Sequence, residues 1–242
     1  MKHWILVFAA LLTAAAPATR HGTSGNNAST NTAASQPPVA GDWNSYVRVS
    51  PTGTYIVGNP RAPVKLVEYL SYTCPHCAAF ARESAAVLRR QMIKSGSVMI
   101  EYHPAVRDQV DLSASLLVKC IGPKRFADAS EAVFAHQDDW LPLAIGFLQN
   151  DARRFALDPP LAQMKTTAQL SGLIDVFRGQ GMTNAELDRC FTDTAALNQV
   201  AALGDGSRTI IRGTPTFFVN GVKTDSFQWS KLEPELRAKG AK

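Results

Sequence analysis

The stretch Val64-Lys65-Leu66-Val67-Glu68-Tyr69-Leu70-Ser71-Tyr72-Thr73-Cys74-Pro75-His76-Cys77 decides the reading of this chain. Its first seven residues are mostly apolar on both alternating faces, as suits a strand buried on both sides of a sheet. Three residues later comes a C-x-x-C motif. A helix is expected from about Pro75 to Lys94, with Ala78, Ala81, Ala85 and Leu88 near helical period. Gly96 ends it, and Val98 to His103 reads as a second strand. Strand, motif, helix and strand make a βαβ unit, and C-x-x-C beside such a unit reads as a thioredoxin-like redox motif.

The spacing has a physical reason. Two intervening residues on a first helical turn bring two sulfurs within bonding reach. Pro75 fits the first helical position, where a backbone N–H is not needed. Cys74 then stands at a helix N-terminus, where free N–H groups favour its thiolate and lower its pKa. His76 adds a donor, or a positive charge, beside it. Stabilising the thiolate stabilises the reduced protein and makes the disulfide the better oxidant. A structural disulfide or half a zinc site is the plainer reading. Zinc wants a second C-x-x-C or a His pair, and Cys120 and Cys190 are far apart. A copper(I) site on C-x-x-C is conceivable. No cofactor is expected.

Outward from the motif, Tyr55 to Val57 is a short strand candidate. From Asp111 to about Thr192 the texture is helical, with segments at Leu112–Cys120, Phe126–His136, Trp140–Leu148, Leu161–Phe177 and Asn184–Phe191. Such a block between two β-containing halves reads as an inserted subdomain. Ala195 to Thr209 is again helix, and Thr216 to Asn220 is a strand. Asn220-Gly221 is a hairpin turn signal leading to Val222-Lys223-Thr224. A helix from Ser230 to Lys239 follows.

The expected organisation is a signal peptide over 1–18, a flexible tether over 19–40, and a first thioredoxin half over 41–110. A helical insertion over 111–192 and a second half over 193–242 complete it. Lys2 and His3 form a basic start, Trp4 to Ala16 is apolar, and Ala16-Pro17-Ala18 fits a cleavage pattern. The apolar run is short for a membrane span, although an uncleaved anchor is the alternative. Thr19 to Ala40 has almost no large apolar residue and cannot offset its own ordering entropy. The chain as a whole is 45% apolar, enough for one sizeable core. Its net charge is +5, and Lys2 and Arg20 supply two of those charges. With no Lys/Arg run and no aromatic–basic alternation, nucleic acid is not an expected partner.

Beyond these features, the chain resembles a known family. Glu68 to Cys77 resembles the active-site segment of the DsbA family. Gly213-Thr214-Pro215-Thr216-Phe217-Phe218-Val219-Asn220-Gly221 resembles that family's cis-proline segment. The resemblance runs from about Tyr55 to the C-terminus and implies an α/β thioredoxin fold with an inserted helical subdomain. It makes Cys74 the exposed nucleophile and Cys77 the resolving partner. Pro215 is cis against the disulfide, and Thr214 presents backbone groups to an extended substrate. Glu68 becomes a buried acid near Cys77 that helps proton movement. By alternation it shares a face with Val64, Leu66 and Leu70, where a carboxylate is costly; the plainer reading is a Glu that snorkels from a strand end.

Cys120 and Cys190 fall near the two ends of the helical block, where a structural disulfide is expected. Two free buried thiols or a second redox pair are the alternatives. His103 and His136 have no assigned role, and Trp140 and Phe177 are core candidates. The implied function is a monomeric periplasmic oxidoreductase that puts disulfides into reduced, unfolded envelope proteins. A DsbB-like membrane quinone reductase reoxidises it. Thr214 before Pro215 resembles isomerase-type relatives instead, so an isomerase or reductase on the same fold is the first rival. A periplasmic metal-binding or holdase protein is the second.

Overall fold

A computed structural model describes residues 41–151, 153 and 156–242; the expected signal peptide and tether lie outside them. A 3-10 turn, Trp43–Ser45, precedes β1 (Val47–Val49) and β2 (Tyr55–Gly58). The apolar run becomes β3 (Val64–Leu70), and β4 (Val98–Pro104), β5 (Thr216–Val219) and β6 (Val222–Lys223) complete one sheet in the order β1-β2-β4-β3-β5-β6. Only β3 and β4 run parallel among these pairs; the rest are antiparallel. β3 lies between β4 and β5, so both of its edges are paired within the sheet. β1 escaped the sequence reading because Val47-Arg48-Val49 offers only three residues of alternation.

α1 (Pro75–Ser84) crosses from β3 towards β4. The expected single helix to Lys94 does not persist: Ala85–Ile93 is a π-helix. The Lys94 N–H bonds the Arg89 carbonyl five residues back. The wider turn lets Leu88, Met92 and Ile93 all enter the core. A period of 3.6 read from the alanines cannot reveal that change of pitch.

Between β4 and the later strands come α2 (Gln109–Cys120), α3 (Pro123–Ala135), α4 (Gln137–Asn150), α5 (Pro160–Leu170), α6 (Leu173–Gly179) and α7 (Asn184–Cys190). One helix was expected over Leu161–Phe177, but the structure has two. Gly172 sits at φ +78°, a left-handed conformation that ends a right-handed helix. α8 (Thr194–Ile210) returns to the sheet, and α9 (Trp229–Ala238) follows the β5–β6 hairpin. That hairpin turns through Asn220 and Gly221, both at positive φ, as a two-residue type I′ loop requires.

The core holds the two ends of the site. Phe80 of α1 packs on Phe217 of β5 with ring centroids 4.4 Å apart, and on Trp229 of α9. Tyr72 packs on Phe134 of α3, and Tyr55 stacks on Phe126. Trp140 and Phe177 are fully buried. Cys120 and Cys190 form a disulfide that joins the C-terminal ends of α2 and α7 across 70 residues.

Candidate functional site

Cys74 caps the N-terminus of α1, with Pro75 in the first turn. Pro75 and His76 are exposed, and the His76 ring lies 6.0 Å from that of Phe227. Cys77 is buried one turn in, and both cysteines are free thiols, so this is the dithiol form. The expectation of an exposed nucleophile needs correction: Cys74 is only 3% exposed. Its sulfur lies against Thr214, and as a thiol it donates to the Thr214 carbonyl at 3.2 Å. The Thr214–Pro215 peptide bond is cis and Pro215 is buried. β3 and β5 are sheet neighbours, and that pairing brings two segments 140 residues apart in sequence into one site.

The two thiols are driven apart in acidity. The Cys77 thiol, donating to the Cys74 sulfur, holds Cys74 down to about 5, against the opposing effect of burial. The Thr214 hydroxyl and the N–H groups of Cys77 and His76 act in the same direction. Burial, and then the neighbouring Cys74, push Cys77 far up. The pair therefore holds one thiolate and one thiol over a wide pH range, with the charge on Cys74.

Glu68 sits on β3 opposite Tyr102 of β4 and Phe217 of β5. It is 4% exposed, so it does not snorkel. Burial raises its carboxyl to about 8, and its charge in turn disfavours a thiolate on Cys77. Glu68 shares a cavity of about 50 Å³ with Ser84, Arg89, Tyr102, Ser130 and Glu131. The space and its polar lining suit water. Arg89 pairs with Glu131 and Asp128 beside it.

Three residues with no role in the sequence reading hold the Ser71–Cys74 turn. Buried Asp111 accepts from the N–H groups of Tyr72 (2.8 Å) and Arg107 (2.9 Å). Its carboxyl is raised to about 6 by burial, which the hydrogen bonds only partly offset. Asp108 accepts from the Thr73 hydroxyl at 3.0 Å. Gln137 of α4 donates to the carbonyls of Tyr72 (2.7 Å) and Cys74 (3.2 Å). Nothing in one sequence links these positions to the motif, since their partners lie 35 to 65 residues away. The structure also keeps His103 and His136 away from the sulfurs in local pairs with Glu101 and Asp139.

Beside Cys74 runs a groove of about 740 Å³. Cys74, Pro75 and His76 line it together with residues 105–107 after β4, Arg208 of α8, and residues 211–214.

The thioredoxin family model matches residues 50–236. The chain is 32% identical to a protein-disulfide isomerase from Novosphingobium aromaticivorans, with a TM-score of 0.67 over 76% of this chain and 95% of that one. It shares the fold of alpha-DsbA1 from Wolbachia pipientis at 19% identity, with a TM-score of 0.61 over 78% of this chain and 92% of that one. A Rickettsia bellii protein, assigned by name only as a protein-disulfide oxidoreductase, is 26% identical over 186 residues, 75% of this chain and 62% of that protein. The chain thus spans about three-fifths of the length of that curated relative. With residues 50–236 matching the family model, the chain belongs to the thioredoxin family.

Proposed function

We propose that this protein is an exported thiol–disulfide oxidoreductase that introduces disulfides into cell-envelope proteins through Cys74 and Cys77. The observation that carries the reading is the split acidity of the pair: Cys74 is held low at the start of α1 while Cys77 is held high beneath it.

The steps follow from that split. In the oxidised protein, a client thiolate attacks the Cys74 sulfur. The Cys74–Cys77 bond breaks, and its electron pair leaves on Cys77. A thiolate is strongly disfavoured there, so Cys77 takes up a proton. Glu68, protonated at neutral pH, can donate it and regain one through the cavity it lines. A second client thiolate then attacks the client sulfur of the mixed disulfide. Cys74 departs as a thiolate, which its site stabilises, and the client leaves oxidised by two electrons. Thr214 and Pro215 flank the attacked sulfur, where an extended client segment would lie. Asp111, Asp108 and Gln137 position the turn and take no proton in this scheme.

A DsbB-like membrane quinone reductase would accept the two electrons, and a monomer in the periplasm would be the working form. Support for export is the Lys2-to-Ala18 pattern and the Cys120–Cys190 disulfide, a bond that persists in oxidising compartments. No helix among the described residues is long and apolar enough to cross a membrane. The helices over 111–192 would be the insertion that covers the motif side of the sheet.

A second reading, disulfide isomerase, is favoured by Thr214 before Pro215 and by the name of the 32% identical Novosphingobium relative. One experiment separates the two. A reduced unfolded protein and a scrambled one are offered in parallel to the oxidised and reduced forms. Rapid oxidation of the first with little rescue of the second is expected. Efficient unscrambling, with slow oxidation, would replace the oxidase reading by the isomerase one.

A further inference from the structure

The groove beside Cys74 has a chemistry that thiol exchange alone does not require. Three arginines line it, Arg107, Arg208 and Arg212, and no lining residue is an acid. Between them lie the buried apolar side chains of Ala105, Val106 and Ile211. Arg208 reaches the groove because α8 approaches the end of β4 closely. A Cβ on Gly204 would stand 2.8 Å from the Val106 Cβ, so only glycine permits this approach. One turn further on, Arg208 donates to the Val106 carbonyl at 3.1 Å and pairs with Asp205. Arg208 is therefore anchored and partly neutralised. Arg107 and Arg212 are exposed, and neither makes an ion pair with an Asp or Glu among the described residues. Asp108, next to Arg107, is occupied by the Thr73 hydroxyl and the first turn of α2.

We propose that this groove selects client segments carrying carboxylates close to the reacting cysteine, with Arg107 and Arg212 as the groups that read them. The proposal rests on the thiol-exchange reading of Cys74 and adds a substrate class to it. Guanidinium groups match carboxylates in shape and charge, and they do so over apolar surface better than lysine would. The apolar strip accommodates the methylene stems of Glu and neighbouring aliphatic residues. A cleft of one sign also raises the local concentration of oppositely charged partners and speeds encounter, an effect that salt screens. The incoming client thiolate is itself an anion, so the same charges favour its approach to Cys74.

The test uses the oxidised full-length protein and three reduced dithiol peptides of one length. Their cysteines are flanked by Asp and Glu, by Ser, or by Lys. Second-order rates of exchange are divided by each peptide's rate with the uncharged 2-hydroxyethyl disulfide, which removes the effect of the flanks on thiol acidity. At low salt the normalised acidic-to-basic ratio is expected to be on the order of tenfold. It should approach unity at high salt and in the Arg107→Gln/Arg212→Gln double variant. The Arg107→Glu/Arg212→Glu double variant, at two exposed positions, should invert the preference. Equal normalised rates in the unaltered protein, or a ratio that survives both sets of substitutions, would overturn the proposal and leave the thiol exchange standing. No exchange with any of the three peptides would overturn the thiol-exchange reading itself, and the groove proposal with it.

Discussion

At Cys74 the chemistry depends on one proton. A thiol of ordinary acidity is almost entirely protonated at pH 7, whereas Cys74 at about 5 is a thiolate. Only the part of the shift between pH 5 and 7 counts at neutrality. Those two units favour the reduced protein by roughly 2.7 kcal/mol, or about 60 mV in a two-electron couple. The raised Cys77 contributes nothing further at pH 7, because it is protonated either way. Alkylation of the reduced protein should therefore label Cys74 first, with a rate that rises through a midpoint near pH 5. Peptide mapping with label first on Cys77, or a midpoint near 8 or above, would contradict the assignment. Glu68 has the opposite sign. It is raised to about 8 in the folded chain from 4.5. Between those values the folded state holds a proton that the unfolded state has lost. Its contribution to stability therefore falls as pH rises through that window, with a full penalty of roughly 5 kcal/mol above it. Glu68→Gln should stabilise the oxidised protein at pH 8 relative to pH 5 and flatten that slope in urea titrations. It should also slow exchange by about tenfold or more at the step where Cys77 gains its proton. Unchanged rates across pH would remove Glu68 from the mechanism.

At the level of elements, β3 and α1 were legible because each carries a strong local signal. A seven-residue run with five apolar positions marks the strand, and Pro75 after Cys74 marks the helix start. Asn220-Gly221 located the β5–β6 turn for the same reason. What escaped was set by packing between distant elements. The π-helical Ala85–Ile93 depends on three apolar side chains sharing one core. The turn over the motif depends on Asp111 and Gln137, which reach it from α2 and α4. Cys74 is covered, not exposed, and Thr214 lies against its sulfur, a contact that alternation and period do not encode. The Cys120–Cys190 disulfide belongs to this scale too. It closes a loop of about 70 residues, and in the chain-entropy picture such a cross-link stabilises by about 4 kcal/mol. Replacing both cysteines by serine should lower the denaturation midpoint by an amount of that order. Cys74 should still titrate near pH 5 in the variant. A midpoint that does not move would mean that the α2–α7 contact holds without a covalent link.

In the molecule as a whole, the proposed oxidase activity is a direction of electron flow, from client dithiols to the Cys74–Cys77 pair. A parallel β3–β4 pair, α1 between them and the neighbouring β5 bring a thiolate-stabilising helix start against Thr214 and Pro215. That arrangement favours the reduced form, so the disulfide should pass to clients. In the sequence the residues of the motif point to this direction, while Thr214 points to the isomerase reading. The groove arginines decide which clients arrive, and they leave the direction unchanged. The most direct test is the equilibrium potential of the Cys74–Cys77 couple against a glutathione buffer at pH 7, read by quantifying dithiol and disulfide forms after acid quench. An oxidising couple is expected, at about −180 mV or above. A potential near −270 mV, in the range of reducing thioredoxins, would contradict it.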